Sequence, residues 1–294
     1  MLEFKNLELK DIPVIKPYLK YKVENNCDCT IGGAFMWRDY FATQYAIFGE
    51  MLFLRANYLN GHLAYCFPLA EDIETALQVL KTHCELVDEK LVLCTITDAE
   101  MEYIDRVFPR YEAVKERDWF DYIYNSADMV SFAGRKYSGQ RNHINKFKRL
   151  YEDYTFEIID ESNIGEARAF FEVFAVVNDK NTETYAEEAQ KVLEVLDHYD
   201  EYGLMGGVLK VKDKVIGMSM GEIIGNTLFV HIEKADTSYH GAYQVLVQNF
   251  ANAFVDKNVE YINREEDVGD EGLRTSKLSY HPVRLIEKST VTII

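Results

Sequence analysis

A stretch rich in Lys and Arg, GRKYSGQRNHINKFKR (residues 134–149), lies within an otherwise acidic chain. The formal net charge of the protein is -17, yet residues 129–151 contain no Asp or Glu. The cations of this window are Arg135, Lys136, Arg141, Lys146, Lys148 and Arg149. If residues 140–150 are helical, cations three and four positions apart share a face and could hold a phosphate or carboxylate. We select Arg141 and Asn142 as the main contacts of this phosphate or carboxylate. A salt-bridged helix between two domains is the alternative.

The segment FVHIEK (residues 229–234) predicts a strand that places His231 and Glu233 on one face, because alternate side chains of a strand share a face. An attacking amine must be neutral to be nucleophilic, and an imidazole or a carboxylate could accept its proton. Both residues are therefore candidate general bases. A hydrogen-bonded strand pair, or an ion pair with a helix lysine, is the alternative.

A run of acidic residues follows the end of another predicted strand, VEYINR. Asn263 closes that strand, and Glu265, Glu266 and Asp267 come directly after it. Strand ends in open sheets face the crevice in which ligands bind. Three consecutive carboxylates could hold the amino group of a cationic substrate, or a hard cation. A solvated turn is the alternative.

The elements that must position these residues recur twice along the chain. FKNLELKDIPVIKPYL near the start and FEIIDESNIGEARAFF, 152 residues later, share the pattern of a strand, a polar break and an amphipathic helix. Each half then predicts three antiparallel strands, a helix, a strand, a helix and a strand. This order indicates an α+β fold with mixed sheets. We expect domains at residues 1–127 and 128–294.

Bulk properties narrow the classes of function. A chain of 294 residues suits two domains. A pI near 4.9 argues against general binding to DNA or to an anionic membrane. No apolar run approaches the roughly 20 residues of a membrane span, and the charged N-terminus does not resemble a signal peptide. The odd count of five cysteines has no zinc-ligand spacing, so we expect reduced thiols, no metal and a cytoplasmic location.

The order of elements resembles the Gcn5-related N-acetyltransferase (GNAT) fold, used twice in tandem. In addition, RKYSGQRNHINKFKR and YINREEDVGDEGLRTSKLSYHP resemble soluble proteins that share the C-terminal domain of phosphatidylglycerol lysyltransferases, a DUF2156-like family. The resemblance covers nearly the whole chain, and INREEDVGDEGLR is its most specific part. It implies that the second domain holds the active site and that the first is structural.

The resemblance also implies where a donor would bind. In this fold an activated acyl donor enters between the fourth and fifth strands, and the next helix offers unpaired N–H groups to its pyrophosphate. Here that helix start contains His240, Gly241, Ala242 and Tyr243. The chain departs from the usual loop, which has a basic residue and two or three glycines.

A tyrosine that protonates the leaving thiolate corresponds by position to Tyr280, and Lys277 lies beside it in the implied substrate site.

These features predict an acyltransferase or aminoacyltransferase that acts on a small-molecule amine. We expect a coenzyme A thioester as donor, because an acidic protein needs only one small positive pocket to bind it. Charged tRNA is the alternative partner that the resemblance implies, although a net charge of -17 opposes a large RNA. A non-catalytic metabolite-binding module is the third reading. The chain contains no GxGxxG, P-loop, GxSxG or HExxH motif.

Overall fold

Two mixed sheets of seven strands each organise the computed structural model, which describes residues 1–58, 61–179 and 181–294. The α+β class expected from the sequence is thereby confirmed. The first unit of the chain contains Met1–Tyr122, Glu265–Arg274 and Leu285–Ile294. The second contains Ile123–Arg264 and Thr275–Arg284. The chain thus passes from the first unit to the second at Tyr122 and later returns to the first.

The first half of the chain follows the predicted order of elements. Its strands are β1 (Lys5–Asn6), β2 (Gln44–Phe48), β3 (Met51–Tyr58), β4 (His62–Tyr65), β5 (Val92–Thr97), β6 (Tyr111–Lys115) and β7 (Asp121–Asn125). Its helices are α1 (Ile12–Ile15), α2 (Ile31–Met36), α3 (Ile73–Val87), α4 (Asp98–Val107) and α5 (Ser126–Ser131).

The second half repeats this order. Its helices are α6 (Ser138–Leu150), α7 (Ile164–Val177), α8 (Glu183–Asp197), α9 (Tyr199–Tyr202), α10 (Ala242–Phe254) and α11 (Glu271–Ser279). Its strands are β8 (Tyr154–Ile158), β9 (Met205–Val211), β10 (Lys214–Ile224), β11 (Thr227–Ala235), β12 (Tyr261–Asn263), β13 (Arg284–Ile286) and β14 (Lys288–Ile293). Among the described residues, no helix is both long enough and apolar enough to cross a bilayer.

The first sheet has the strand order β1-β2-β3-β4-β5-β14-β6, and within the described ranges its one parallel pair is β4 with β5. Helix α3 covers its core, which buries Leu77 and Leu80 completely. Helix α4 begins at a capping box in which Thr97 and Glu100 satisfy each other's backbone N–H groups. These local signals explain why the pattern of the sequence predicted both helices.

The second sheet has the order β13-β7-β12-β11-β10-β9-β8, with β11 and β12 parallel. Helix α10 packs against β10, β11 and α6. Its apolar positions Val245, Leu246 and Phe250 are buried. The first and second sheets therefore share one plan, in which the fourth strand pairs in parallel with the strand after the next helix, as the GNAT-like resemblance implies.

The late strands differ from the prediction. The sequence predicts one last strand in the first half, but a short 3-10 turn, Arg117–Trp119, divides this segment into β6 and β7. Strand β7 joins the second sheet beside β12, and β14 from the end of the chain joins the first sheet between β5 and β6. Alternating apolar residues specify that a segment is a strand but not which sheet accepts it.

Candidate active site

Strands β11 and β12 diverge within the second unit. Their parallel pairing covers only Thr227–Phe229 of β11, opposite Tyr261–Asn263. Strand β11 continues to Ala235, whereas β12 ends at Asn263. The pairing of the two strands therefore ends before the carboxyl end of β11, and we call the place where it ends the β11–β12 split. The resemblance implies that a donor would enter at this place.

A buried ion pair spans the split. Arg264, directly after β12, donates from Nη2 to Glu233 Oε1 of β11 at 2.5 Å. Only 10% of the Arg264 side chain and 14% of the Glu233 side chain are exposed. The guanidinium carbon lies 4.5 Å from the centre of the Tyr280 ring and 5.6 Å from that of Tyr124. Desolvation lowers the pKa of Arg264, but the Glu233 carboxylate and the two phenols raise it more, so the guanidinium stays charged.

Two buried polar atoms beside this pair have no hydrogen-bond partner among the described residues. One is Arg264 Nη1, and the other is the hydroxyl of Ser219, which is fully buried. Ser219 lies directly opposite Glu233 in the β10–β11 ladder, so the two side chains share a face. The sequence analysis selected neither residue. Arg264 lies inside the most specific family phrase, which was the available signal; Ser219 had none.

Tyr280 and Lys277 lie beside the ion pair. The Lys277 ammonium donates to the carbonyl oxygen of Arg264 at 2.5 Å. The Tyr124 hydroxyl donates to the carbonyl oxygen of Lys277 at 2.8 Å. Tyr280 is 2% exposed, and burial raises its pKa above the ordinary phenol value, so it stays protonated at neutral pH. The roles proposed for Glu233, Tyr280 and Lys277 stay predictions, but the structure brings all three together.

His231, the other candidate base, lies deeper. It is the extra residue of a bulge in the β10–β11 ladder, because Met220 pairs with Ile232 and Gly221 with Val230. Its Nε2 atom contacts Glu222 Oε1 at 2.9 Å, and its side chain is 1% exposed. The strand-pair alternative given for His231 matches this geometry better than a role as base.

Helix α6, which carries Arg141, Lys146, Lys148 and Arg149, lies beside the start of α10. His143 Nδ1 of α6 is 3.2 Å from His240 Nε2. Gly241 is at φ 84°, and a Cβ atom there would lie 2.6 Å from the His143 carbonyl oxygen. Burial, and then the charge of Lys146, lower the pKa of His240. Together these contacts hold α6 against the start of α10.

Most cations of the basic stretch, residues 134–149, have no acidic partner within the described ranges. Lys136 pairs with Asp128 at 3.0 Å. No carboxylate of the described residues pairs with Lys146, Lys148 or Arg149. These unpaired charges disfavour the salt-bridged alternative and favour an anion-binding surface.

Two predicted donor contacts already have protein partners. Arg141 Nη1 donates to the carbonyl oxygens of Phe132 and Gly134, each at 2.5 Å. The Ala242 N–H donates to the Tyr239 carbonyl oxygen at 3.0 Å, so it is not free for a pyrophosphate. Asn142 is exposed, and burial raises the pKa of Tyr243 to about 12. The donor contacts stay a prediction, with the exposed lysines better placed than Arg141.

The acidic run, Glu265, Glu266 and Asp267, lies in the first unit. Asn263, which precedes it, belongs to the second unit and is fully buried in β12. Asp267 is fully buried and accepts from Arg117, Tyr122 and Arg274. Burial raises its pKa, but these donors lower it more, to well below the usual range. A substrate amine would have to displace them, so substrate binding by Asp267 stays a prediction that the observed contacts oppose.

Glu265 adopts φ 58° at the start of this run, a left-handed conformation that is uncommon for residues other than glycine. Its contact with a substrate amine stays a prediction.

Glu266 belongs to a buried cluster around Lys288. The Lys288 ammonium lies 2.6 Å from oxygens of both Asp28 and Asp121, and 4.0 Å from Glu266 Oε2. It is also 3.5 Å from the sulfur of Cys27. Burial raises the pKa of the Cys27 thiol well above its usual value. Lys288 is fully buried. Its ammonium is the counter-charge of the Asp28, Asp121 and Glu266 carboxyl groups.

Ligand atoms of Cys27, Asp121 and Glu266 also lie within 4.8 Å of one another, a spacing that a metal ion could use. The Lys288 ammonium already supplies the positive charge at this place, and a metal would compete with it directly.

Glu266→Gln is expected to gain stability relative to the wild type as the pH rises from about 5 to about 8. Burial raises the pKa of Glu266 from 4.5 to about 7, so in that window the folded state keeps a proton that the unfolded chain has lost. The contribution of Glu266 to stability therefore falls as the pH rises. Urea unfolding at both pH values measures the difference, and Glu112→Gln removes an exposed carboxylate as the control. A difference that does not change with pH would contradict the expectation.

Gly241→Ala is expected to destabilise the second unit by about 2–3 kcal/mol, because the new Cβ meets both a left-handed backbone and the His143 carbonyl. Gly225→Ala is the matched control: Gly225 has φ 59° but no atom within 4 Å of a built Cβ. We expect it to cost about 1 kcal/mol. Thermal unfolding followed by circular dichroism compares the two variants. Equal losses in the free energy of unfolding would show that the contact between Gly241 and the His143 carbonyl does not limit the side chain at this position.

Comparison with known proteins supports the family resemblance seen in the sequence. Residues 22–292 match the family model described as "Phosphatidylglycerol lysyltransferase, C-terminal". A conserved Bacteroides thetaiotaomicron protein of unknown function is 31% identical, with 100% of each chain covered and a TM-score of 0.92.

Two further solved structures share the fold. The C-terminal domain (DUF2156) of an Agrobacterium fabrum protein described as a lysylphosphatidylglycerol synthetase is 11% identical, with 96% of this chain and 91% of that chain covered and a TM-score of 0.69. L-PGS from Bacillus licheniformis is 14% identical, with the same coverage and a TM-score of 0.64. The family match over almost the whole length confirms the resemblance seen in the sequence, and the chain belongs to the phosphatidylglycerol lysyltransferase C-terminal family.

Proposed function

We propose that the second unit transfers an acyl group of the aminoacyl class from an activated ester to an amine. The observation that carries the proposal is the Glu233–Arg264 pair, buried where β11 and β12 separate. A charged acid–base pair in a strand-end crevice is typical of a catalytic site. The description of the family names lysyl transfer, which supports a transferase and the aminoacyl class of the group.

The proposed chemistry needs one proton acceptor, one proton donor and an anchor. The nitrogen lone pair of a neutral amine attacks the ester carbonyl, and Glu233 accepts the amine proton. When the bond to the leaving oxygen breaks, Tyr280 supplies the proton that this oxygen takes up, and Glu233 then returns a proton to Tyr280. The unpaired lysines of α6 hold phosphates of the donor beside the start of α10.

A coenzyme A thioester is the second candidate donor. The net charge of -17 favours it, because repulsion from the rest of the surface weakens binding of a large RNA more than binding of a small donor. In that case the leaving atom is sulfur, and the roles of Glu233 and Tyr280 are unchanged.

Donor binding is the experiment that tests the proposal. A tRNA pool charged with radiolabelled amino acids and acetyl-coenzyme A are each titrated at low salt against the wild type and Lys146→Glu. We expect one donor to bind, and to bind about tenfold more weakly to Lys146→Glu, since a reversed charge replaces a phosphate contact. Lys257→Glu, an exposed lysine after α10, is the control and should change binding less than twofold.

The outcome also separates the candidates. Binding of the charged tRNA supports aminoacyl transfer, and binding of acetyl-coenzyme A alone moves the proposal to the thioester. If neither donor binds, or if both lysine variants behave alike, the proposed site is wrong, and a metabolite-binding module remains as the reading of this fold.

A further inference from the structure

The guanidinium of Arg264 has one nitrogen that the protein leaves unused. Nη2 is bound to Glu233, whereas Nη1 is buried and has no acceptor among the residues that the structure describes. A buried N–H without a partner is destabilising, and more so when the group is charged. Such an atom in a native fold calls for an explanation, and an absent ligand is one.

The charges around Nη1 indicate what kind of group would bind. Glu233 already balances the positive charge of Arg264, so a second carboxylate would place excess negative charge in a buried site. Tyr124 and Tyr280 flank the guanidinium, and the Tyr124 hydroxyl is engaged with Lys277. The remaining position suits a neutral acceptor such as a carbonyl oxygen.

We propose that Arg264 Nη1 binds the carbonyl oxygen of the transferred acyl group and stabilises the oxyanion that forms there. This inference rests on the acyl transfer proposed above. As the amine adds to the carbonyl carbon, the C=O electron pair moves to oxygen, and Glu233 takes the amine proton. Glu233 thereby becomes neutral while the oxyanion appears. The positive charge of Arg264 then balances the oxyanion instead of the Glu233 carboxylate. When the tetrahedral intermediate collapses, the carbonyl re-forms and the ester oxygen leaves.

Ser219 contributes to the same place. Its hydroxyl is fully buried without a partner within the described part of the chain, and it faces Glu233 across the β10–β11 ladder. A hydroxyl can donate to an acceptor oxygen and accept from an amine. We assign Ser219 to positioning the acyl carbonyl between β10 and Arg264.

The test uses Arg264→Lys. Lysine keeps a cation for Glu233, so the variant should fold, but it lacks the second nitrogen of the fork. Transfer of radiolabelled aminoacyl groups from a charged tRNA pool to hydroxylamine is measured, with acetyl-coenzyme A as a parallel donor. We expect kcat to fall about 100- to 1,000-fold with less than a threefold change in KM, as for loss of one oxyanion donor. Arg284→Lys, an exposed arginine of the second unit, is the control.

Chemical rescue separates a direct role from a structural one. Methylguanidinium added to Arg264→Ala should restore transfer at least tenfold, because it can occupy the vacated position. Arg264→Lys with a kcat within threefold of the wild type, or no rescue of a folded Arg264→Ala, overturns the inference while the proposed function stands. No transfer by the wild type from either donor removes the proposed function, and this inference with it.

Discussion

Lys288→Met is expected to lower the free energy of unfolding of the first unit by about 3–5 kcal/mol, because it leaves buried carboxylates without their counter-charge. Lys288 is fully buried, with Asp28 and Asp121 oxygens 2.6 Å away. Burial lowers the pKa of Lys288, but these carboxylates raise it well above the usual value, so the ammonium is charged in the folded state. Met has a similar length and supplies no charge.

Tryptophan fluorescence during urea unfolding measures this loss selectively. Both tryptophans, Trp37 and Trp119, belong to the first unit. Lys115→Met is the matched control, since the Lys115 side chain is 57% exposed and pairs with Glu287. We expect it to cost less than about 1 kcal/mol. A similar, small loss in both variants would mean that the buried cluster contributes no more than a surface ion pair.

Glu233→Gln is expected to lower the rate of transfer by about 100- to 10,000-fold, because glutamine cannot accept the amine proton. Donor binding should stay within threefold of the wild type, since glutamine keeps the oxygen that accepts from Arg264 Nη2. Single-turnover transfer from the donor that binds, together with an equilibrium titration, separates the two quantities.

His231→Gln is the informative comparison, since His231 was the other candidate base. Its side chain is 1% exposed and is engaged with Glu222, so we expect less than a tenfold loss in the rate of transfer. A large loss in His231→Gln together with a small one in Glu233→Gln would reverse the assignment of the base.

The architecture was predictable from the sequence because local signals repeat in both halves. The amphipathic pattern and the Thr97–Glu100 capping box mark α3 and α4, and FVHIEK marks β11, although a bulge at His231 interrupts its alternation. The strand exchange was not predictable. Whether β14 joins the first or the second sheet depends on partners that lie far away in the chain, such as Thr97 opposite Lys288.

The site was only partly predictable for the same reason. An arginine followed by acids is typical of a solvated turn, and only the fold turns Arg264 back toward Glu233, 31 positions earlier. The contacts of the carboxylate run were not predictable from the sequence either. Its members Glu266 and Asp267 are held by Lys288, Arg117 and Arg274, which no spacing in the sequence reveals.

We propose above that the β11–β12 split catalyses acyl transfer to an amine. The most direct test of this proposal is the rate of hydroxamate formation when hydroxylamine is incubated with the wild-type protein and each of the two donors, charged tRNA and acetyl-coenzyme A. The account predicts a rate well above the uncatalysed reaction for one donor, and loss of most of that excess in Glu233→Gln. Rates equal to the uncatalysed reaction with both donors, or an excess that Glu233→Gln retains in full, would contradict it.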